Sequence, residues 1–176
     1  MLNEKLSNEI LEMAKIDQEF RKKAMADPKN FEIGKELGRI DEENTKRCKE
    51  IIDEFGWPTF ELVGEDAASD FWLLVQHADH DKEFQERCLE LLRKAVNDGQ
   101  AFKKDLAYLE DRVLVGKGEE QKYGTQFFMK DFRFVPRPIA DSENLEKRRE
   151  EMGMETFQKN QERMNKKTKK YIEKMK

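Results

Sequence analysis

Cysteine is scarce in this chain of 176 residues: Cys48 and Cys88 are the only two, with no CxxC spacing, so neither a disulfide framework nor a zinc site is suggested. Both fall inside predicted helices and read as reduced core thiols. Long apolar runs are missing too. No stretch approaches the roughly 20 apolar residues of a membrane span, and the N-terminal segment alternates charged and apolar positions where a secretory leader needs an apolar centre. These absences predict a soluble, cytoplasmic protein. Missing as well are GxSxG, HExxH, a GxGxxG after a strand, a DFG-type motif and the phosphate loop with its Lys-Ser/Thr pair.

What is present is charge. Charged residues make up 41% of the chain against 37% apolar, a balance that suits long amphipathic helices with wet outer faces. Twelve Phe and two Trp argue against disorder and for a small aromatic core. The net charge of −4 is unevenly placed, because residues 159–176 carry +6 and the rest −10. A basic end can meet nucleic acid, but solvated charge runs at chain ends are commoner, which argues against a nucleic-acid role.

Apolar spacing predicts a mostly α fold, a compact multi-helix domain over 1–153 followed by a basic amphipathic helix or tail over 154–176. Helices are expected over about 3–25, 35–55, 65–77, 81–96 and 101–115, with an extended piece at 59–63. The helix over 65–77 is the most apolar and should be the central one. Leu6, Ile10, Met13, Ala14, Ile16 and Phe20 are expected on the inner side of the first helix. Glycines and β-prone aromatics near 122–136 predict a small β-hairpin, Tyr123–Met129 with Phe132–Val135, turning at Lys130-Asp131. Asp141-Ser142-Glu143 offers an N-cap for a sixth helix, which Gly153 interrupts. The final seam of Met154, Phe157, Gln161, Met164, Thr168, Tyr171 and Met175 fits light packing on the domain or on a partner helix, or else fraying, and the tail is expected to be dispensable for folding.

Function is sought where polar residues interrupt apolar patterns, since an unsatisfied buried polar group costs about 1 to 3 kcal/mol. Asp17-Gln18 with Arg21 forms an i,i+4 pair that a surface ion pair would explain equally well. Gln76-His77-Ala78-Asp79 ends the most buried helix, where an imidazole can act as general base, nucleophile or core hydrogen-bonder. His77, Asp79, His80 and Asp81 would share a metal ion only if the helix ended there, because residues two apart diverge by about 200° on a helix, and no metal site is expected. Asp111 and Arg112 adjoin apolar Leu109 and Val113 and cannot face one another, so each needs its own partner. Gln121, Lys122, Tyr123, Gly124, Thr125 and Gln126 combine amides, a phenol, a hydroxyl and a permissive glycine, a set able to read a polar ligand.

The strings Gly56-Trp57-Pro58, Gln76-His77-Ala78-Asp79, Ala107-Tyr108-Leu109-Glu110-Asp111-Arg112 and Tyr123-Gly124-Thr125-Gln126 resemble the GWP, QHAD, AYLxDR and YGTQ signatures of a mainly bacterial domain-of-unknown-function family. The likeness runs from about Asp17 to Gly153, through Pro138-Ile139-Ala140-Asp141 and the pair Arg148-Arg149. It implies that these residues form one site and implies no reaction or cofactor.

The expectation is an enzyme of hydrolase or group-transfer type in which His77 is general base or nucleophile, oriented by Asp111 or Asp79. Arg21, Arg112 and Arg148 would neutralise a phosphate- or carboxylate-bearing small molecule, read by Gln121, Tyr123, Thr125 and Gln126. The alternatives are a ligand sensor built on the same residues and a protein-interaction module that uses the C-terminal helix.

Overall fold

A computed structural model describes residues 2–131 and 133–175, with side chains as far as residue 166. The chain forms two compact units, Met1–Phe102 and Lys103–Lys176.

In the first unit, α1 (Glu4–Ala26) starts at Asn3, whose side chain accepts the Leu6 N–H and satisfies one of the orphan donors of the helix end. Its inner stripe is Leu6, Ile10, Ala14 and Asp17. Ile16 was expected on that face and is 41% exposed, because the inward position belongs to Asp17. α2 (Phe31–Phe55) begins a turn earlier than expected, since Asn30 accepts the Ile33 N–H and caps it there. Residues 59–63 are not extended. Thr59 caps a single turn, α3 (Phe60–Val63), by accepting the Leu62 N–H, and the Phe60 N–H goes to the Gln100 carbonyl. With these donors satisfied, no strand pairing is needed.

α4 (Glu65–Gln76) is the apolar centre of this unit, burying Ala67, Ala68, Phe71, Leu74 and Val75. Trp57 meets Phe71 edge-on at 5.3 Å. Each fully buried large side chain of this kind contributes about 1.5 to 3 kcal/mol. α1 packs against both α2 and α4, and α2 against α4. Asp81 caps α5 (Lys82–Asn97) through the Phe84 N–H, and α5 turns Phe84, Cys88, Leu92 and Ala95 inward. Cys48 and Cys88 are both buried free thiols. Burial pushes the Cys88 thiol up to about 12 and raises Cys48 in the same direction.

In the second unit, α6 (Lys103–Gly116) buries Leu106, Leu109 and Val113 together with Asp105 and Asp111. The predicted hairpin is present and shorter: β1 (Phe127–Lys130) pairs antiparallel with β2 (Arg133–Pro136), Lys130 opposite Arg133. Residues 123–126 do not join β1, because their N–H groups bond to side chains: Tyr123 and Thr125 to Asp111, Gln126 to Gln121. Phe132, expected in the second strand, lies outside the described residues. A 3-10 turn at Ser142–Asn144 leads into α7 (Leu145–Glu151). Asp141 was expected to cap this helix and does not. It sits at φ 44°, and its carboxylate accepts instead from Asn144 Nδ2 and Arg148 Nη1.

Gly153, at φ 66°, makes the expected break before α8 (Phe157–Met175). The first turns of α8 are docked on the loop after α6. Asn160 is 1% exposed and donates to the Gly124 carbonyl at 3.2 Å, and Phe157 stacks on Phe127 with ring centres 6.4 Å apart. The side chains of Thr168, Tyr171 and Met175 lie outside the described residues. Among the described residues no helix is long and apolar enough to cross a membrane.

Candidate functional site

His77 sits where α4 stops. It is the C-cap, at φ −91° and ψ −2°, and its N–H is held by the Leu74 carbonyl. Gln85 of α5 fixes this helix end: buried, it donates Nε2 to the Val75 carbonyl at 3.2 Å and to Asp79 Oδ1 at 3.3 Å. Asp79, one of the two carboxylates expected to orient His77, thus faces Gln85.

The carboxylate beside His77 is Asp17. Nδ1 lies 3.0 Å from Asp17 Oδ1, and Asp17 is 0% exposed. Gln18 donates to Asp17 Oδ2 at 2.8 Å, and the Arg21 Nε–H reaches Oδ1 at 3.1 Å and His77 Nδ1 at 3.0 Å. The other end of the guanidinium, Nη2, pairs with Asp41 of α2. A surface ion pair between Asp17 and Arg21 is therefore ruled out, since one partner is wholly interior. Ala14 and Asp17 are one turn apart on α1, so the acid takes the next place on the buried stripe.

Protonation follows from this geometry. Burial pushes the Asp17 carboxyl up, but hydrogen bonding and charge from His77, with Arg21 and Gln18, outweigh it and leave the group below its usual range. For Asp41 burial prevails over the charges of Arg21 and His77, and its carboxyl is raised. An ionised Asp17 selects the His77 tautomer with the proton on Nδ1, and the Nε2 lone pair is then the basic edge. Arg21 has a single Nε–H, which goes to Asp17 in that tautomer and to Nδ1 in the other. Nε2 meets no hydrogen-bond partner among the described residues, and the His77 side chain is 17% exposed.

Asp17, Asp41 and His77 also offer three ligand atoms within 4.8 Å of one another, a set of two oxygens and one nitrogen that suits a divalent transition ion. Arg21 already places its positive charge among them, so such an ion requires the guanidinium to swing away.

The remaining expected site residues belong to the second unit and have partners there. Asp111 is 0% exposed and accepts the N–H groups of Lys122 at 2.7 Å, Tyr123 at 3.0 Å and Thr125 at 2.9 Å, plus the Thr125 hydroxyl at 2.9 Å. Burial still leaves its carboxyl raised. Buried Gln121 spans the same loop, accepting the Gln126 N–H and donating to the carbonyls of Gln126 and Arg137. Gln126 in turn donates to Thr125 Oγ1 at 3.0 Å and lies 3.4 Å from Arg112 Nη1. Tyr123 Oη reaches Glu110 at 3.4 Å. Arg148 donates to the carbonyls of Lys122, Ala140 and Asp141. Gly124, at φ 67°, lies so close to Phe157 that a Cβ would meet its ring at 2.8 Å. Asp111, Gln121, Thr125 and Arg148 thus hold a loop in shape.

Two residues went unrecognised in the sequence. Asp41 carries a signal there, since Asp41, Thr45, Cys48 and Ile52 follow at steps of four, three and four on α2, and the last three are buried. Arg149 stands there only as half of the Arg148-Arg149 pair, and nothing local tells which of the two a seven-residue helix turns inward.

No curated protein and no solved structure matches the chain. The motifs that shape the α4 terminus and the Tyr123–Gln126 loop are those on which the family resemblance was read, and a family model covers residues 4–170: the chain belongs to the family of unknown function DUF6624.

Proposed function

We propose that the protein is an enzyme of hydrolase or group-transfer type whose reactive group is His77 Nε2, acting as general base or nucleophile and oriented by Asp17. One observation carries this reading: a wholly buried carboxylate 3.0 Å from Nδ1, with the opposite ring nitrogen unpaired among the described residues. Asp17 replaces Asp111 and Asp79 as the orienting acid. Arg21 is then a positioning residue that balances Asp17 and Asp41, and no longer a clamp for the substrate. The cluster carries a net charge of −1 with His77 neutral, so a phosphate- or carboxylate-bearing substrate draws its counter-charge from elsewhere on the protein.

The chain has only two histidines, His77 and the exposed His80, which makes the test clean. Acylation by diethyl pyrocarbonate, followed residue by residue, should be faster at His77 than at His80 despite its lower exposure. Asp17→Asn should slow it at His77 alone. Equal or slower reaction at His77 would sink the reading. Turnover of p-nitrophenyl phosphate or p-nitrophenyl acetate, if found, should fall by about 100-fold or more in His77→Gln. Binding without turnover, unchanged in that variant, would make the protein a sensor.

A metal-dependent version has one observation in its favour, the 4.8 Å grouping of Asp17, Asp41 and His77. Calorimetry with Mn²⁺ and Zn²⁺ distinguishes it. Tighter binding to Arg21→Gln than to wild type, lost on adding His77→Gln, would favour the metal centre over the free imidazole.

A further inference from the structure

Arg149 has the largest side chain among the fully buried residues, at 1% exposure. A guanidinium in such a place needs a counter-charge, because transferring an unpaired ion from water costs several kcal/mol. Its Nε donates to the Glu155 carbonyl at 2.8 Å and its Nη1 to the Tyr123 carbonyl, two neutral acceptors. Nη2 is buried with no hydrogen-bond partner. The face of the group lies 5.9 Å from the centre of the Phe157 ring.

The acids of the neighbourhood are committed to other donors. Glu155 pairs with Arg163 at 3.1 Å, Glu146 accepts the Phe157 N–H at 3.1 Å, and Asp111 holds the loop from Lys122 to Thr125. Burial lowers the proton affinity of Arg149, outweighing the charges of Glu146, Glu155 and Asp111. Arg163 shares one of these neighbours, since it bonds Glu155; it also reaches Tyr108 Oη at 3.3 Å, and its own side chain is 46% exposed. Arg163, with Tyr108 at its side, thus adjoins Arg149 through Glu155, and among the described residues no carboxylate pairs with Arg149.

We propose that Lys103–Lys176 carries an oxyanion-binding site centred on Arg149 Nη2, with Arg163 and its partner Tyr108 adjoining it through Glu155, for a phosphoryl or carboxylate group. Both free N–H groups of Nη2 are donors, and an oxyanion supplies the two things missing here, acceptor atoms and negative charge. Arg163 is half exposed, and an oxyanion entering beside it displaces its bonds to Glu155 and Tyr108 and its 2.6 Å bond to Asn160 Oδ1. The site stands independently of His77, so its test needs no turnover.

The experiment is titration of the full chain with sodium phosphate and, separately, sodium acetate, at ionic strength held constant with sodium chloride. Calorimetry and thermal melting provide the readouts. Binding predicts a melting temperature that climbs with the logarithm of anion concentration. Arg149→Lys, which keeps the charge and loses the fork, should weaken binding at least tenfold, and Tyr108→Phe severalfold. Response to phosphate alone assigns the phosphoryl source, and response to acetate alone the carboxylate source. Should Arg149→Lys fail to fold, ¹⁵N-detected guanidinium signals of wild-type Arg149 decide the matter: slower Nη exchange and a shifted resonance on adding anion support the site. Anions that act no differently from chloride, an Arg149→Lys protein that binds as tightly, or an Arg149 signal that does not move would overturn it.

Discussion

Asp17 shows what one buried carboxylate does to a whole cluster. It accepts from Gln18, Arg21 and His77 while wholly out of water, so replacing it with Asn removes a charge that three donors share. Asp17→Asn should cost about 3 kcal/mol at neutral pH, the usual penalty for breaking a buried pair. Its folded-state pKa is depressed, so the stabilisation is fully present above the unfolded carboxyl value of about 3.9 and is lost as pH falls through the lower folded value. The gap between urea melts of wild type and variant should therefore begin to narrow below about pH 4 and close only once pH has fallen below the folded-state value. A gap that persists there would assign the effect to packing. The raised carboxyl of Asp41 works in the opposite sense, holding its proton more readily in the fold than in the unfolded chain. At this scale the sequence was half legible. Asp17 and Arg21 stood out as an i,i+4 pair, but their third member, His77, lies on another helix, and spacing along one chain carries no information about that.

At the scale of elements, the loop after α6 and the start of α8 depend on each other. The Gly124 carbonyl accepts from Asn160 Nδ2, and a Cβ on this residue would meet the Phe157 ring at 2.8 Å and Ile139 at 3.1 Å. Gly124→Ala should cost about 2 to 5 kcal/mol, the sum of a left-handed Ala and an overpacked contact. Gly118→Ala, at φ 81° with open space around it, should cost only about 1 to 2 kcal/mol. Equal losses in denaturant melts of the two variants would mean that Phe157 yields freely. Truncation after Thr156 removes both Phe157 and Asn160, and the remaining protein should expose the loop: amide exchange at Thr125 and Gln126 should accelerate by at least tenfold. Unchanged protection would restore the detachable tail. The helices themselves were legible because caps and apolar periods are local signals. The short α3 was not, since it depends on Thr59 meeting Leu62 and on the Gln100 carbonyl, which is distant in sequence. Gln121 and Asp111 looked like ligand readers for a similar reason: buried polar residues that serve a loop and those that serve a substrate have the same composition.

At the scale of the molecule, a division near Phe102 was not visible in the sequence, where the only shift in composition falls in the basic end. Met1–Phe102 has its own apolar centre around α4 and closes its end on itself, with Phe102 against Phe60 at 4.7 Å. A fragment of residues 1–102 should fold alone, showing helical circular dichroism and a cooperative melt. Its His77 carbon-bound proton shifts should match those of the full chain. A fragment that stays unfolded would show that the two units share a core.

The two thiols acquire a use from where they lie. Cys48 and Cys88 are buried with raised pKa values, and both belong to Met1–Phe102, whereas Lys103–Lys176 contains no cysteine. A thiolate is the species that reacts, so alkylation in the native state must wait for an opening that frees the sulfur and restores its acidity. The rate of labelling by a small maleimide is thus a built-in clock for the breathing of the unit that holds His77. It runs without any introduced probe and takes its signal from this unit alone, since the other half of the chain holds no cysteine to label.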